Sequence, residues 1–399
     1  MRDNSFAIGD WSTTTASFSL AATIEQPGVG YQNITYTYDS VGNITAITDY
    51  SLTNAYRVLS FTYDDLNRLL TASTTLATTT PFRQTYGYSS IGNITEWKTN
   101  SSATSTYTYA ETNYTNPHAV TTIGATSYAY DDVGNLTTTG AWNYDWDYRN
   151  RLTQAESGTA TTTYAYTHEN IRVVKGSGTA TTTYANRYYT VTSPSAGSGQ
   201  ATTTKHILGP KGETIATIEG NGSATSTYFN HADHLGGTNV VTDENGDLAQ
   251  TLDYYPFGAQ RINTKAGNFD EQYKFTGHEQ DEDTDLTYAK QRYYGQDYGR
   301  FLSVDPVAER IAKPDELLET TGWSQENLLK HPQLLNTYSY TANNPLIYTD
   351  PEGEALDPIT ISVVGSLIVA YGLADIAMEA HADAYDRNLN GGLNLGDGH

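Results

Sequence analysis

Residues 36–45 read Tyr-Thr-Tyr-Asp-Ser-Val-Gly-Asn-Ile-Thr, and residues 128–137 read Tyr-Ala-Tyr-Asp-Asp-Val-Gly-Asn-Leu-Thr. Between them stand Phe-Thr-Tyr-Asp-Asp-Leu-Asn-Arg-Leu-Leu at 61–70 and Tyr-Gly-Tyr-Ser-Ser-Ile-Gly-Asn-Ile-Thr at 86–95. A weaker copy runs from Tyr144 to Leu152, and the peptide Ser-Gly-Thr-Ala-Thr-Thr-Thr-Tyr-Ala occurs at both 157–165 and 177–185. Self-similarity of this kind marks a repeat architecture, in which each unit buries its apolar face only against its neighbours. Within a unit, Tyr-x-Tyr sets two aromatic side chains on one face of a strand. Asp-x-x-Gly-Asn is turn chemistry: the carboxylate accepts from nearby backbone N–H groups, and Gly or Asn tolerates positive φ. Ile-Thr or Leu-Thr then opens the return strand of a hairpin.

Composition agrees with a sheet. Only 37% of the 399 residues are apolar, below the ~45–50% usual for globular chains, but 33 are Tyr, whose rings bury large apolar area behind a polar tip. Tyr and Thr both favour pleated, half-buried surfaces. With 45 acidic against 22 basic residues, the net charge is −23. Such a surface repels phosphate backbones, so nucleic acid is not an expected partner. No cysteine is present, which removes disulfides and thiolate metal sites. Residues 1–15 lack a basic start followed by an apolar run and do not read as a secretory signal. Asn33, Asn43, Asn93 and Asn135 each begin an Asn-x-Thr triplet. Three of the four belong to the repeat's own turn, so the structural reading is preferred to glycosylation.

As a set these repeats resemble the tyrosine-aspartate (YD) repeats of Rhs proteins, of the C component of insecticidal toxin complexes, and of teneurins. From Tyr228 the text changes. His231-Ala-Asp233-His234-Leu-Gly, Tyr254-Tyr-Pro256-Phe257-Gly258, Phe275-Thr-Gly277-His278-Glu279 and Gln291-Arg292-Tyr293-Tyr294 follow in order. Then come Gly299-Arg300-Phe301-Leu-Ser-Val-Asp305-Pro306, Asn343-Asn344-Pro345 and Asp350-Pro351-Glu352-Gly353. These blocks resemble the Rhs-associated core. The resemblance implies a mainly β fold, a YD-hairpin spiral forming a shell or partial shell, with a short helical C-terminal tail. The expected organisation is a strand-rich edge at 1–30, the hairpin array at 31–227, the core at 228–354 with a helical insertion at about 307–335, and a variable tail at 355–399.

The resemblance also implies chemistry. Aspartates in the two Asp-Pro contexts, Asp305 and Asp350, would form an aspartyl-protease-like pair that cuts the chain once, just after the core. Two carboxylates sharing a proton can serve as base for water and as acid. Arg300 is the candidate to fix a carboxylate through paired hydrogen bonds. The cut is expected around Gly353 and Glu354, although the family pattern ends in Leu where this chain has Glu354. The alternative is that Asp-Pro simply ends a strand. His231, Asp233 and His234 include good metal ligands, but neighbouring strand residues point to opposite faces, and the family uses this stretch as a turn.

The tail holds an apolar stretch, 359–374, shorter than the ~20 residues a spanning helix needs. It reads as a helix inside the shell rather than a membrane segment. Asp386, Asn388, Asn390, Gly391 and Asp397 follow the one-three-five-six-twelve spacing of a Ca²⁺ loop, with Leu393 at eight. No cofactor is required, and calcium is the candidate at that loop. A polar, unstructured tail is the competing reading.

The function expected is an encapsulating scaffold whose cargo is its own tail, in a bacterial protein delivered to the cell surface or outside. A secretion apparatus or a cell-surface molecule would be its partner. The alternative is an adhesive repeat that binds carbohydrate or protein on its aromatic face without cleavage.

Overall fold

A computed structural model describes residues 21–354, apart from 27–28, 51–56, 77–80, 110–115, 196–198, 211, 223 and 322–323. The tail, its apolar stretch and the Asp386–Asp397 loop lie outside the described residues, as does the sequence before Ala21. The described chain forms a 23-stranded antiparallel sheet from Ala21–Gln26 to Gln260–Lys265. Each strand pairs with the next in sequence.

The repeat motif builds each hairpin in the same way. Asp39 Oδ1 accepts the backbone N–H groups of Val41 (3.0 Å) and Asn43 (2.8 Å). Asp64, Asp131 and Asp147 cap their own i+2 and i+4 nitrogens likewise. In the third copy Ser89 takes only the i+4 bond. The fourth turn position needs a left-handed backbone: Gly42 and Gly134 have φ of 91°, and Asn67 and Asn150 substitute at 60° and 59°. At the second aromatic of each unit the register slips by one residue, a bulge that bends the strand. That aromatic then reaches the preceding unit. Tyr63 Oη donates to Ile44 O (2.8 Å), Tyr88 to Leu69 O (2.7 Å), Tyr166 to Leu152 O (2.7 Å), and Trp146 Nε1 to Leu136 O (2.7 Å). Asn43, Asn93 and Asn135 are buried, their amides bonded to neighbouring turns or to Pro117 O. They are structural parts of the turn and cannot carry a glycan without leaving it.

The first aromatic of each unit faces inward. Tyr36, Phe61, Tyr86 and Tyr107 pack on Phe257, Phe275, Tyr294 and Tyr340. Tyr144, Leu152 and Tyr164 pack on Leu286, Tyr293 and Leu302. The inner partners belong mostly to a second, four-stranded sheet (Glu279–Asp281, Leu286–Ala289, Arg292–Gly295, Arg300–Phe301) and to the loop after it. The large sheet curls around this segment until early strands meet late ones: Gln32 Nε2 donates to Ala232 O, and Arg57 pairs with Asp253 at 2.5 Å. The aromatic face that the adhesive alternative would give to a carbohydrate or protein ligand is therefore largely the inner face, covered by the chain's own core. Cavities of about 70 and 320 Å³ remain within it or at its rim.

The hairpin array continues past residue 228, into the segment expected as a distinct core, as far as Lys265. The insertion is helical, with a 3₁₀ turn Pro306–Arg310, helices Pro314–Thr321 and Gln325–Leu329, and a 3₁₀ turn Pro332–Leu335. Val307, Leu317 and Leu328 give it a small core of its own. Among the described residues no helix is long and apolar enough to cross a membrane.

Candidate functional site

The hairpin Leu286–Gly295 carries Arg292, which is 1% exposed and stacks on Phe301 with Cζ 3.5 Å from the ring centroid. All three nitrogens of its guanidinium are engaged. Nη2 lies 3.0 Å from Asp305 Oδ2 and 3.1 Å from Asp350 Oδ2, so a single nitrogen joins the two carboxylates. Nη1 donates to Thr337 O (3.1 Å) and Nε to Gly353 O. Both aspartates are 2% exposed.

Each carboxylate is fixed by a local device. Asp305 caps the 3₁₀ turn Pro306–Arg310, Oδ1 accepting from Val307 N at 2.9 Å, and its own N–H donates to Thr337 O. Asp350 Oδ1 accepts from Glu354 N at 2.8 Å. Its backbone carbonyl accepts from His278 Nε2 at 2.9 Å, which makes Nε2 the protonated nitrogen of a buried imidazole. Burial lowers that imidazole's pKa to about 4, so it is neutral. Burial likewise raises Asp350 to about 7; Arg292 opposes the shift and Asp305 adds to it. A carboxyl that keeps its proton near neutrality, beside a second carboxyl on the same guanidinium, is the arrangement acid–base hydrolysis uses.

The segment after Asp350 is held against this group. Gln291 N donates to Glu352 O, and Lys290 pairs with Glu352. Gly353 has φ +73°, and a Cβ there would run into the Ala289 carbonyl oxygen. The Gly353–Glu354 peptide consequently has its carbonyl on Arg292 and its N–H on Asp350. An innocent reading exists, because an aspartate accepting its i+4 N–H is also the repeat's turn device. Burial, the second carboxylate and the shared guanidinium set Asp350 apart from those turns.

One sequence expectation needs adjusting. Asp305 and Asp350 are brought together, but by Arg292 and not by Arg300. Arg300 donates to Tyr109 Oη (3.1 Å), His118 O (2.5 Å) and Asn336 Oδ1 (3.5 Å), tying the core to the repeat sheet. The two arginines lie on adjacent strands, Gly295 opposite Arg300, and only the register decides which faces the aspartates. His278 and Arg310 were also missed; neither carries a local signature. His231, Asp233 and His234 go to separate partners: Thr242 Oγ1, the N–H groups of Leu235 and Gly237, and Leu346 O.

The profile of the Teneurin YD-shell family matches residues 21–346, and the chain belongs to that family. Its fold is that of a YD shell. Its relatives include the tRNA3(Ser)-specific nuclease WapA of Bacillus spizizenii, 26% identical over 67% of this chain and 11% of the relative. The double-stranded DNA deaminase toxin A of Burkholderia cenocepacia is 31% identical over 33% of this chain and 8% of the relative. The fold matches the TcdB2-TccC3-Cdc42 crystal structure with a TM-score of 0.68 at 19% identity, covering 86% of this chain and 18% of the other. The Photorhabdus luminescens Tc holotoxin pore matches with a TM-score of 0.67 and the same shares. This chain thus spans under a fifth of these relatives' lengths.

Proposed function

We propose that this chain is the core-bearing part of an encapsulating shell and that it cuts its own backbone once, between Gly353 and Glu354, to free the polypeptide that follows. The observation that carries this reading is the grip on that peptide by Arg292 and Asp350, with Asp305 on the same guanidinium. Water, deprotonated by the Asp305 carboxylate, attacks the Gly353 carbonyl carbon while Arg292 Nε stabilises the developing oxyanion. The protonated Asp350 gives its proton to the Glu354 nitrogen as the C–N bond breaks. The products are a Gly353 carboxyl and a Glu354 amine, and the proton on Asp305 restores the pair on exchange.

Release of the tail as a toxic cargo, in a protein acting outside the cell, is supported by the toxins among the relatives. Other toxin-complex subunits are the partners this reading favours, as in the TcdB2-TccC3 assemblies. Intact mass spectrometry of the wild type beside Asp305→Asn and Asp350→Asn tests it. Species ending at Gly353 and beginning at Glu354, absent from both variants, are expected. A full-length mass in the wild type would return both aspartates to turn duty and leave the chain a scaffold.

A further inference from the structure

Glu354 is held in a way that a turn alone does not require. Its side chain is 21% exposed, and Oε2 lies 3.4 Å from Arg310 Nη1. Arg310 is the last residue of the 3₁₀ turn whose N-cap is Asp305. One short element therefore seats a carboxylate of the pair and brings a cation to the residue beside the proposed cut. Arg310 is braced from behind, with Nε 4.0 Å from Glu316 Oε1 on helix Pro314–Thr321. The core of Val307, Leu317 and Leu328 anchors that helix. Both Arg310 and Glu316 lie in the insertion that separates the two Asp-Pro sites.

Arg310 and Glu354 also share the cavity of about 320 Å³, with Asp305, Lys290, Asn135 and Arg151 in its wall. Val133, Trp146 and Leu152 contribute apolar surface, but the larger part of the wall is polar or charged, so the Glu354 carboxylate meets ionic partners there. Burial pushes the Glu354 carboxyl up and Arg310 opposes that shift.

Resting on the reading that the chain cuts at Gly353–Glu354, we propose that Arg310 is a specificity-determining residue that selects an acidic side chain at 354 and so positions the Glu354 nitrogen on Asp350. The two departures of this sequence from its family pattern, Glu354 and the helical insertion, are on this account one adaptation. Glu354 needs a cation, and the insertion supplies it.

The test follows the fraction of chain cut with time after pulsed cell-free synthesis of the full chain. Arg310→Glu and Glu354→Arg are each made alone and then combined, with trypsin resistance of the shell as the folding readout. Each single variant is expected to slow cutting roughly 10- to 100-fold, the loss that a misplaced reacting group brings. The double variant, with the pair reversed, is expected to recover most of it. Single variants that cut at the wild-type rate overturn the inference and leave self-cleavage standing. Single variants that slow with no recovery in the double overturn it too, because the loss then reflects the insertion's packing. A wild-type chain that stays whole, like Asp350→Asn, overturns both.

Discussion

At the scale of single residues, Arg292 holds the candidate site together. Removing it leaves two buried carboxylates facing each other without a cation. Arg292→Met should therefore lower stability by about 3–5 kcal/mol, the cost of breaking a buried pair, read from the urea midpoint. Asp350 makes the pH dependence predictable. Its pKa in the fold is raised to about 7, so the proton that the proposed cut needs for the leaving nitrogen is lost as pH rises through neutrality. The cutting rate should fall about tenfold between pH 6 and pH 8; a rate that climbs over that range would assign the acid to another group. The same shift means that Asp350 contributes stability that is full below its ordinary pKa and lost as pH rises through about 7. Gly353→Ala combines a strained φ with a collision at the Ala289 carbonyl. It should undock residues 351–354 and block the cut while the shell keeps its melting transition.

At the scale of the element, the repeat is a hairpin stitched to its neighbour by one phenolic hydroxyl. Tyr88→Phe removes the donor to Leu69 O and leaves that carbonyl without its phenolic partner beneath a half-buried ring. A loss of about 1–3 kcal/mol is expected, measured by denaturant unfolding, with no change in β-sheet content. This explains the spacing in the motif. The first aromatic fills the interior, the second reaches back across the bulge, and the aspartate after it closes the turn. In the third unit Ser89 replaces the aspartate and accepts only one N–H, so the motif bends without losing the hairpin.

At the scale of the whole molecule, the inner sheet is locked to the outer by buried charge. Arg172 meets Glu279 Oε2 and Asp281 Oδ2, each at 2.6 Å, and its guanidinium lies 4.1 Å from the centre of the Tyr288 ring. Lys175 adds a 3.1 Å contact to Asp281. Burial alone would raise the Asp281 carboxyl, yet Arg172 and Lys175 hold it below its usual range. Its stabilisation is present above the ordinary carboxylate pKa and is lost only as pH falls through the lowered one. Arg172→Met should loosen the core segment from the shell, seen as faster amide exchange in Leu286–Ala289 and Arg292–Gly295. Unchanged exchange would assign the docking to the aromatic contacts alone.

The sequence by itself determined the hairpin, the common face of its aromatics and the left-handed turn position, because each depends on residues within ten positions of one another, and it marked the helical insertion; that the aromatic face turns inward only the curled sheet decided. It also marked Asp305 and Asp350, through the Asp-Pro context and a family resemblance. Only the tertiary structure decided that Arg292 and not its neighbour Arg300 joins them, that His278 fixes the Asp350 carbonyl, and that Arg310 reaches Glu354. Those choices depend on strand register and on how a curled sheet folds onto its own core. A one-residue slip in pairing exchanges the two faces of a strand, and nothing in the local text records which of the two buried arginines faces the aspartates.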